Sequence, residues 1–286
     1  MTYEFVELSG KKNGPTSVVL GGVHGDERCG VDALKKNISN LQIDRGRVIL
    51  GYGNPRSIEN DVRFVDADLN RMFKQDDQLT GVEKRSYEYG RAQFLKTYLN
   101  KADALIDIHA SITPDSTPFV ICEPNAHPTA QFLPAELIVS GFDAIEPGGT
   151  DYYMNSIGKT GICIECGYRE NPLSLKIAEE SLFAFLKARG HIENDLKPRA
   201  QVHVQIYDLY ITKTEEFRLA KSFGDFEDIR KDQSIGMDGT VLVQAQRESV
   251  ILFARDRNKI GEEAFLLGEK RPKLLPTTLP NNCCRY

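Results

Sequence analysis

From the start of the chain to about Gly190, short apolar runs alternate with stretches whose apolar residues recur at helical spacing. Residues 18–22, 48–52, 104–108, 119–122 and 161–165 predict strands. Residues 29–38, 80–99 and 174–189 predict helices. In the last of these Leu175, Ala178, Leu182, Phe185 and Leu186 share one face, and Gly190 supplies the stop. Thr80 and Glu83 have capping-box spacing, which predicts that the middle helix begins at Thr80. Strand and helix in alternation predict an α/β fold, a mixed and mainly parallel sheet with helices on both faces.

The pattern changes after Gly190. Residues 191–200 are polar and contain Pro198, after which 202–206, 241–243 and 250–253 read as short strands separated by turn signals at Gly224, Gly236, Gly239 and Gly261. The predicted division is a larger α/β domain over residues 1–195 and a small β-rich domain over 196–286. Residues 271–282, with Pro272, Pro276 and Pro280, predict an extended tail.

Composition narrows the classes. With 41% hydrophobic and 27% charged residues, the chain is ordinary for a soluble globular protein. A net charge of -5 with both signs spread along the chain offers no basic footprint for nucleic acid. No apolar run approaches the roughly 18 residues of a membrane helix. Residues 1–14 lack the charged and apolar regions of a secretion signal, so a cytoplasmic location is expected. Six cysteines are too few for a disulfide scaffold and are expected to be reduced. Cys163 and Cys166 have CxxC spacing, but on one strand that odd offset points them to opposite faces, which favours plain buried thiols. Cys283 and Cys284 lie at the chain end, a common place for disorder.

Candidate chemistry gathers at three predicted strand ends. His24-Gly25-Asp26-Glu27 follows residues 18–22, His109 follows 104–108, and Glu165 closes 161–165. In open α/β sheets, sites form at the carboxyl ends of strands, so segments distant along the chain can converge there. Two His and one carboxylate are a common catalytic zinc set, leaving a position for water, and Glu165 remains to take that water's proton. An HxxE pair alone arises often by chance, and a lone strand-end His is more often structural; their combination is what points to a metal. Asp107 lies two residues before His109 and shares its strand face, where it could orient the imidazole or stand as a solvated carboxylate. Residues 63–73 bring Arg63 and Arg71. A guanidinium can stabilise the charge that builds on an attacked amide oxygen, or grip a substrate carboxylate. Neither a GxSxG elbow nor an HExxH motif is present.

The motifs HGDE (24–27), DLNRMF (68–73), DIHAS (107–111), EPGGT (146–150) and IECG (164–167) resemble those of the aspartoacylase and succinylglutamate desuccinylase family, relatives of the zinc carboxypeptidases. The resemblance covers roughly residues 15–170 and extends more loosely over 223–269, where FGDF (223–226) and 251–253 are similar to the small β domain of the desuccinylase branch. It implies a zinc carboxypeptidase-like fold and one Zn2+ per chain bound by His24, Glu27 and His109. It further implies Glu165 as general base, Arg63 polarising the scissile carbonyl, and Asn70 and Arg71 holding a substrate carboxylate. Family members place an Arg about ten residues before the catalytic Glu for a second carboxylate, yet no Arg lies between Pro147 and Ile164. Lys159 is the only cation there, and Tyr152 and Tyr153 are the candidate hydroxyl donors.

The expected function is therefore zinc-dependent hydrolysis of the amide bond of a small, carboxylate-bearing N-acyl amino acid. The expected partner is that small molecule, with neither nucleic acid nor membrane, and a homo-oligomer stays open. The rivals are a metallocarboxypeptidase or peptide amidase on the same scaffold, and a non-catalytic metal-binding protein.

Overall fold

Strand residues with period two build two apolar cores on opposite faces of one sheet. Val18, Leu20, Ile49 and Leu105 face one core, while Val19, Val48, Leu50 and Ile106 face the other. Both faces are covered, which is why these strands read as continuous apolar runs. In the computed structural model, which describes residues 5–274, the chain begins with β1 (Val6–Ser9) and β2 (Lys12–Gly21), then α1 (Arg28–Asn37) and β3 (Arg45–Tyr52). Next come α2 (Pro55–Asn60), α3 (Tyr87–Leu99), β4 (Ala104–Ser111) and β5 (Phe119–Ile121). After α4 (His127–Ala130), β6 (Leu137–Ser140), α5 (Phe142–Ile145) and α6 (Thr150–Ser156), β7 (Thr160–Tyr168) leads into α7 (Leu173–Ala188). Residues from α1 and α7 pack on one face, and residues from α3 and α6 on the other.

The remainder is β-rich: β8 (Gln201–Ile211), β9 (Phe217–Leu219), β10 (Glu227–Ile229), β11 (Ser234–Asp238), β12 (Val241–Gln244), β13 (Ser249–Leu252) and β14 (Glu263–Leu274). The main sheet has 11 strands in the order β1-β3-β2-β4-β7-β5-β6-β8-β14-β13-β10. Its centre, β3 to β7, is parallel; β5 enters antiparallel beside β7, and every pairing beyond β8 is antiparallel. Because β8 pairs in parallel with β6, the C-terminal segment is hydrogen-bonded onto the sheet that carries the strand ends. Strands β9, β11 and β12 form a separate 3-stranded sheet.

The helix predicted from Thr80 starts later. The Thr80–Glu83 box forms, with the Glu83 carboxylate accepting from the Thr80 amide at 2.7 Å, but only a 3-10 turn (Glu83–Arg85) follows. Ser86 then takes an extended conformation and caps α3 itself, its hydroxyl accepting from the Tyr89 amide at 3.1 Å. Cys163 and Cys166 are buried free thiols in cores on opposite faces of the sheet. Of the predicted tail, residues 271–274 complete β14; the rest, with Cys283 and Cys284, lies outside the described residues. Among the described residues no helix is long and apolar enough to cross a membrane.

Candidate metal centre and active site

Three chain segments meet at the carboxyl ends of β2, β4 and β7. Past β2, Gly22 takes a positive φ of 69° that turns the chain off the sheet, and Gly25 packs so closely on α2 that a Cβ would lie 2.1 Å from the Ser57 carbonyl carbon. This turn delivers His24 and presents Glu27 at the head of α1. On β4, alternation puts His109 and Asp107 on the face shared by Leu105. The parallel register sets His109 directly beside Glu165 of β7.

The Glu27 carboxylate bridges the two imidazoles. One of its oxygens is 2.7 Å from His24 Nδ1 and the other 2.8 Å from His109 Nδ1. Each ring's second nitrogen meets an aspartate: His24 Nε2 lies 3.1 Å from Asp68, and His109 Nε2 lies 3.1 Å from Asp107, the latter without hydrogen-bond alignment. Asp107 is fixed in turn by the Thr150 hydroxyl at 2.6 Å. Such carboxylates orient an imidazole and leave its other nitrogen free to donate to a cation. His24, Glu27 and His109 are all buried, and their ligand atoms lie within 4.8 Å of one another. Two ring nitrogens and a carboxylate fit a divalent zinc-like ion.

Electrostatics agrees with that fit. Burial opposes charge on Glu27, yet His24 and His109 hold its carboxyl well below the ordinary range. Burial likewise opposes charge on His109, yet Asp107 and Glu27 raise it well above the usual imidazole value. The field that draws protons to these rings would equally draw a cation. Glu165 is different. Burial first, and Glu27 second, push its carboxyl up to about 8, and its Oε2 is buried with no hydrogen-bond partner among the described residues.

Arg63 reaches the same opening with its side chain 31% exposed, held by Asp68 and by Glu27 at 3.3 Å. Its loop is anchored by a residue that no local sequence pattern marks. Glu88, fully buried in the first turn of α3, accepts from the backbone amides of Val65, Asp66 and Ala67 and from the Asn54 side chain. Asn70 and Arg71 occupy a 3-10 turn (Leu69–Arg71) capped by Asp68. The Asn70 amide donates to Asp68 at 2.9 Å, and its side-chain oxygen faces the Thr150 amide at 3.4 Å. Arg71 lines the cavity, but its guanidinium donates to both Glu146 and Glu263.

Tyr152 lines this cavity as well. Lys159 and Tyr153 do not reach it. The Lys159 ammonium donates to the Asn100 carbonyl at 2.7 Å, and the Tyr153 hydroxyl donates to the Asn100 side chain at 2.8 Å, both at the end of α3. No motif in the sequence marks Arg255 and Glu263, which, with Phe253 of the 251–253 run, line the cavity from the C-terminal strands and their loops, far along the chain.

A family model for the succinylglutamate desuccinylase/aspartoacylase catalytic domain matches residues 13–189. A probable aspartoacylase of Trichodesmium erythraeum is 30% identical over 181 residues, covering 58% of this chain and 58% of that protein. An N-acyl-aromatic-L-amino acid amidohydrolase (carboxylate-forming) of Xenopus tropicalis is 30% identical over 165 residues, 52% of this chain and 53% of that one. The matches thus span little more than half the length of these relatives. The solved succinylglutamate desuccinylase of Vibrio cholerae superposes with a TM-score of 0.77 at 20% identity, over 90% of this chain and 82% of that one, which shows the shared fold. With its family model covering the three strand ends, the chain belongs to the succinylglutamate desuccinylase/aspartoacylase family.

Proposed function

We propose that the chain is a zinc-dependent deacylase that hydrolyses the amide bond of a small N-acyl amino acid. The observation that carries this reading is the Glu27 carboxylate spanning His24 Nδ1 and His109 Nδ1, with Glu165 beside them on the adjacent strand. When bound, zinc supplies Lewis acidity to water and to the amide carbonyl. His24, Glu27 and His109 would hold it, while Asp68 and Asp107 fix the two rings. Glu165, on the strand beside His109, takes the proton from the attacking water and returns it to the leaving amine. Arg63, anchored through Asp68, stabilises charge developing on the carbonyl oxygen. Asn70 and Tyr152 orient the substrate.

The β-rich segment supports a small substrate over a peptide, since its Phe253, Arg255 and Glu263 line the cavity. Relatives named for acting on acylated amino acids support the same class. The test is metal analysis of the purified chain with a panel of acetyl- and succinyl-amino acids and short peptides. One zinc per chain and chelator-sensitive release of amine from acyl-amino acids are expected. Preferential peptide hydrolysis would move the protein to the peptidase reading, and turnover indifferent to chelation would remove the metal.

A further inference from the structure

Three arginines face the cavity, and their partners differ. Arg63 is paired with Asp68 and Glu27, and Arg71 with Glu146 and Glu263. Arg255, which follows β13, lines the same cavity, yet its guanidinium forms neither a hydrogen bond nor an ion pair with any described residue, and its Nε is buried without a partner. Burial and the nearby charges of Arg257 and Arg63 press its pKa down to about 10, against the pull of Glu263 and Glu146. A desolvated guanidinium beside other cations is an unfavourable arrangement that an anion relieves, and a carboxylate matches its fork geometry.

Resting on the deacylase reading above, we infer that Arg255 binds a carboxylate of the substrate, while Arg71 is already matched by the protein's own Glu146 and Glu263. The site thereby takes its carboxylate-recognising cation from the C-terminal strands, not from the stretch before Glu165, where the chain has no arginine between Pro147 and Ile164. Carboxylate specificity then belongs to the rim and the amide chemistry to the strand ends.

Three probes separate the possible sources of the carboxylate: N-acetyl-L-alanine carries it on the amino acid, N-succinyl-L-alaninamide on the acyl group, and N-acetyl-L-alaninamide not at all. Binding to the zinc-loaded Glu165→Gln protein is measured by calorimetry, with and without Arg255→Gln. The expected result is a preference for one or both charged probes that falls by on the order of 30-fold or more without Arg255 and partly returns in Arg255→Lys. An equal loss for charged and uncharged probes would make Arg255 merely structural and overturn the assignment. So would the absence of any charged-over-uncharged preference, including no binding at all. If the wild-type protein hydrolyses neither N-acetyl- nor N-succinyl-L-alanine but the Arg255-dependent preference holds, the deacylase reading fails and this assignment stands. Turnover of those substrates with no dependence on Arg255 would keep the deacylase reading and overturn the assignment.

Discussion

The strand-end centre and the C-terminal rim handle charge in opposite ways. At the centre, His24, Glu27, His109, Asp68, Asp107 and Arg63 form one connected set in which every charge has an opposite within 3.3 Å. At the rim, Glu263 comes from β14 to share Arg71 with Glu146, and Arg255 is left unmatched. Charges opposed in pairs fix geometry, as a reaction centre needs; an unmatched arginine at the edge leaves binding energy for a ligand. On the proposed reading, chemistry and selectivity thus fall to different parts of the chain.

Substitutions can break this contrast. The largest effect is expected for Glu165→Gln, which removes the group that moves the proton and should lower kcat by about 10²- to 10⁴-fold with zinc retained. Steady-state kinetics with metal analysis checks it, and loss of the metal would make Glu165 a ligand. Arg63→Ala should cost about 10²- to 10³-fold in turnover by removing a donor to the developing oxyanion. Wild-type rates in that variant would exclude the role. Asp68→Asn weakens the carboxylate behind His24 and should lower zinc affinity about 10- to 100-fold, read by competition with a chromophoric chelator. Unchanged affinity would mean that Asp68 serves only Arg63 and Asn70. The smallest effect belongs to the rim: Glu263→Gln leaves Arg71 paired with Glu146, so KM should change by about five-fold at most with kcat held. A collapse of kcat would erase the separation between rim and centre.

The same contrast explains what could be read from the chain. His24, Glu27, His109 and Glu165 each follow a recognisable apolar run, and the rule that sites gather at strand ends brings them together without knowledge of the sheet order. Asp107 is legible through period two alone. Glu88 is not, because within the helix predicted from Thr80 a glutamate looks like an ordinary solvated charge, and only the fold shows three backbone amides converging on it. Arg255 and Glu263 are hidden by distance along the chain: their arrival at the cavity depends on β8 pairing with β6 and β14 with β8, long-range register that local pattern does not encode. Lys159 and Tyr153 fail for a related reason. Both lie close in sequence to Glu165, but their side chains are bonded to Asn100 at the end of α3.

Anomalous diffraction at the zinc edge from crystals of the zinc-loaded protein tests the centre most directly. One peak is expected, about 2.0–2.2 Å from Nδ1 of His24, Nδ1 of His109 and the Glu27 carboxylate, with Glu165 adjacent and not coordinating. A peak elsewhere, or ligation through the Nε2 atoms that face Asp68 and Asp107, would contradict the proposed centre.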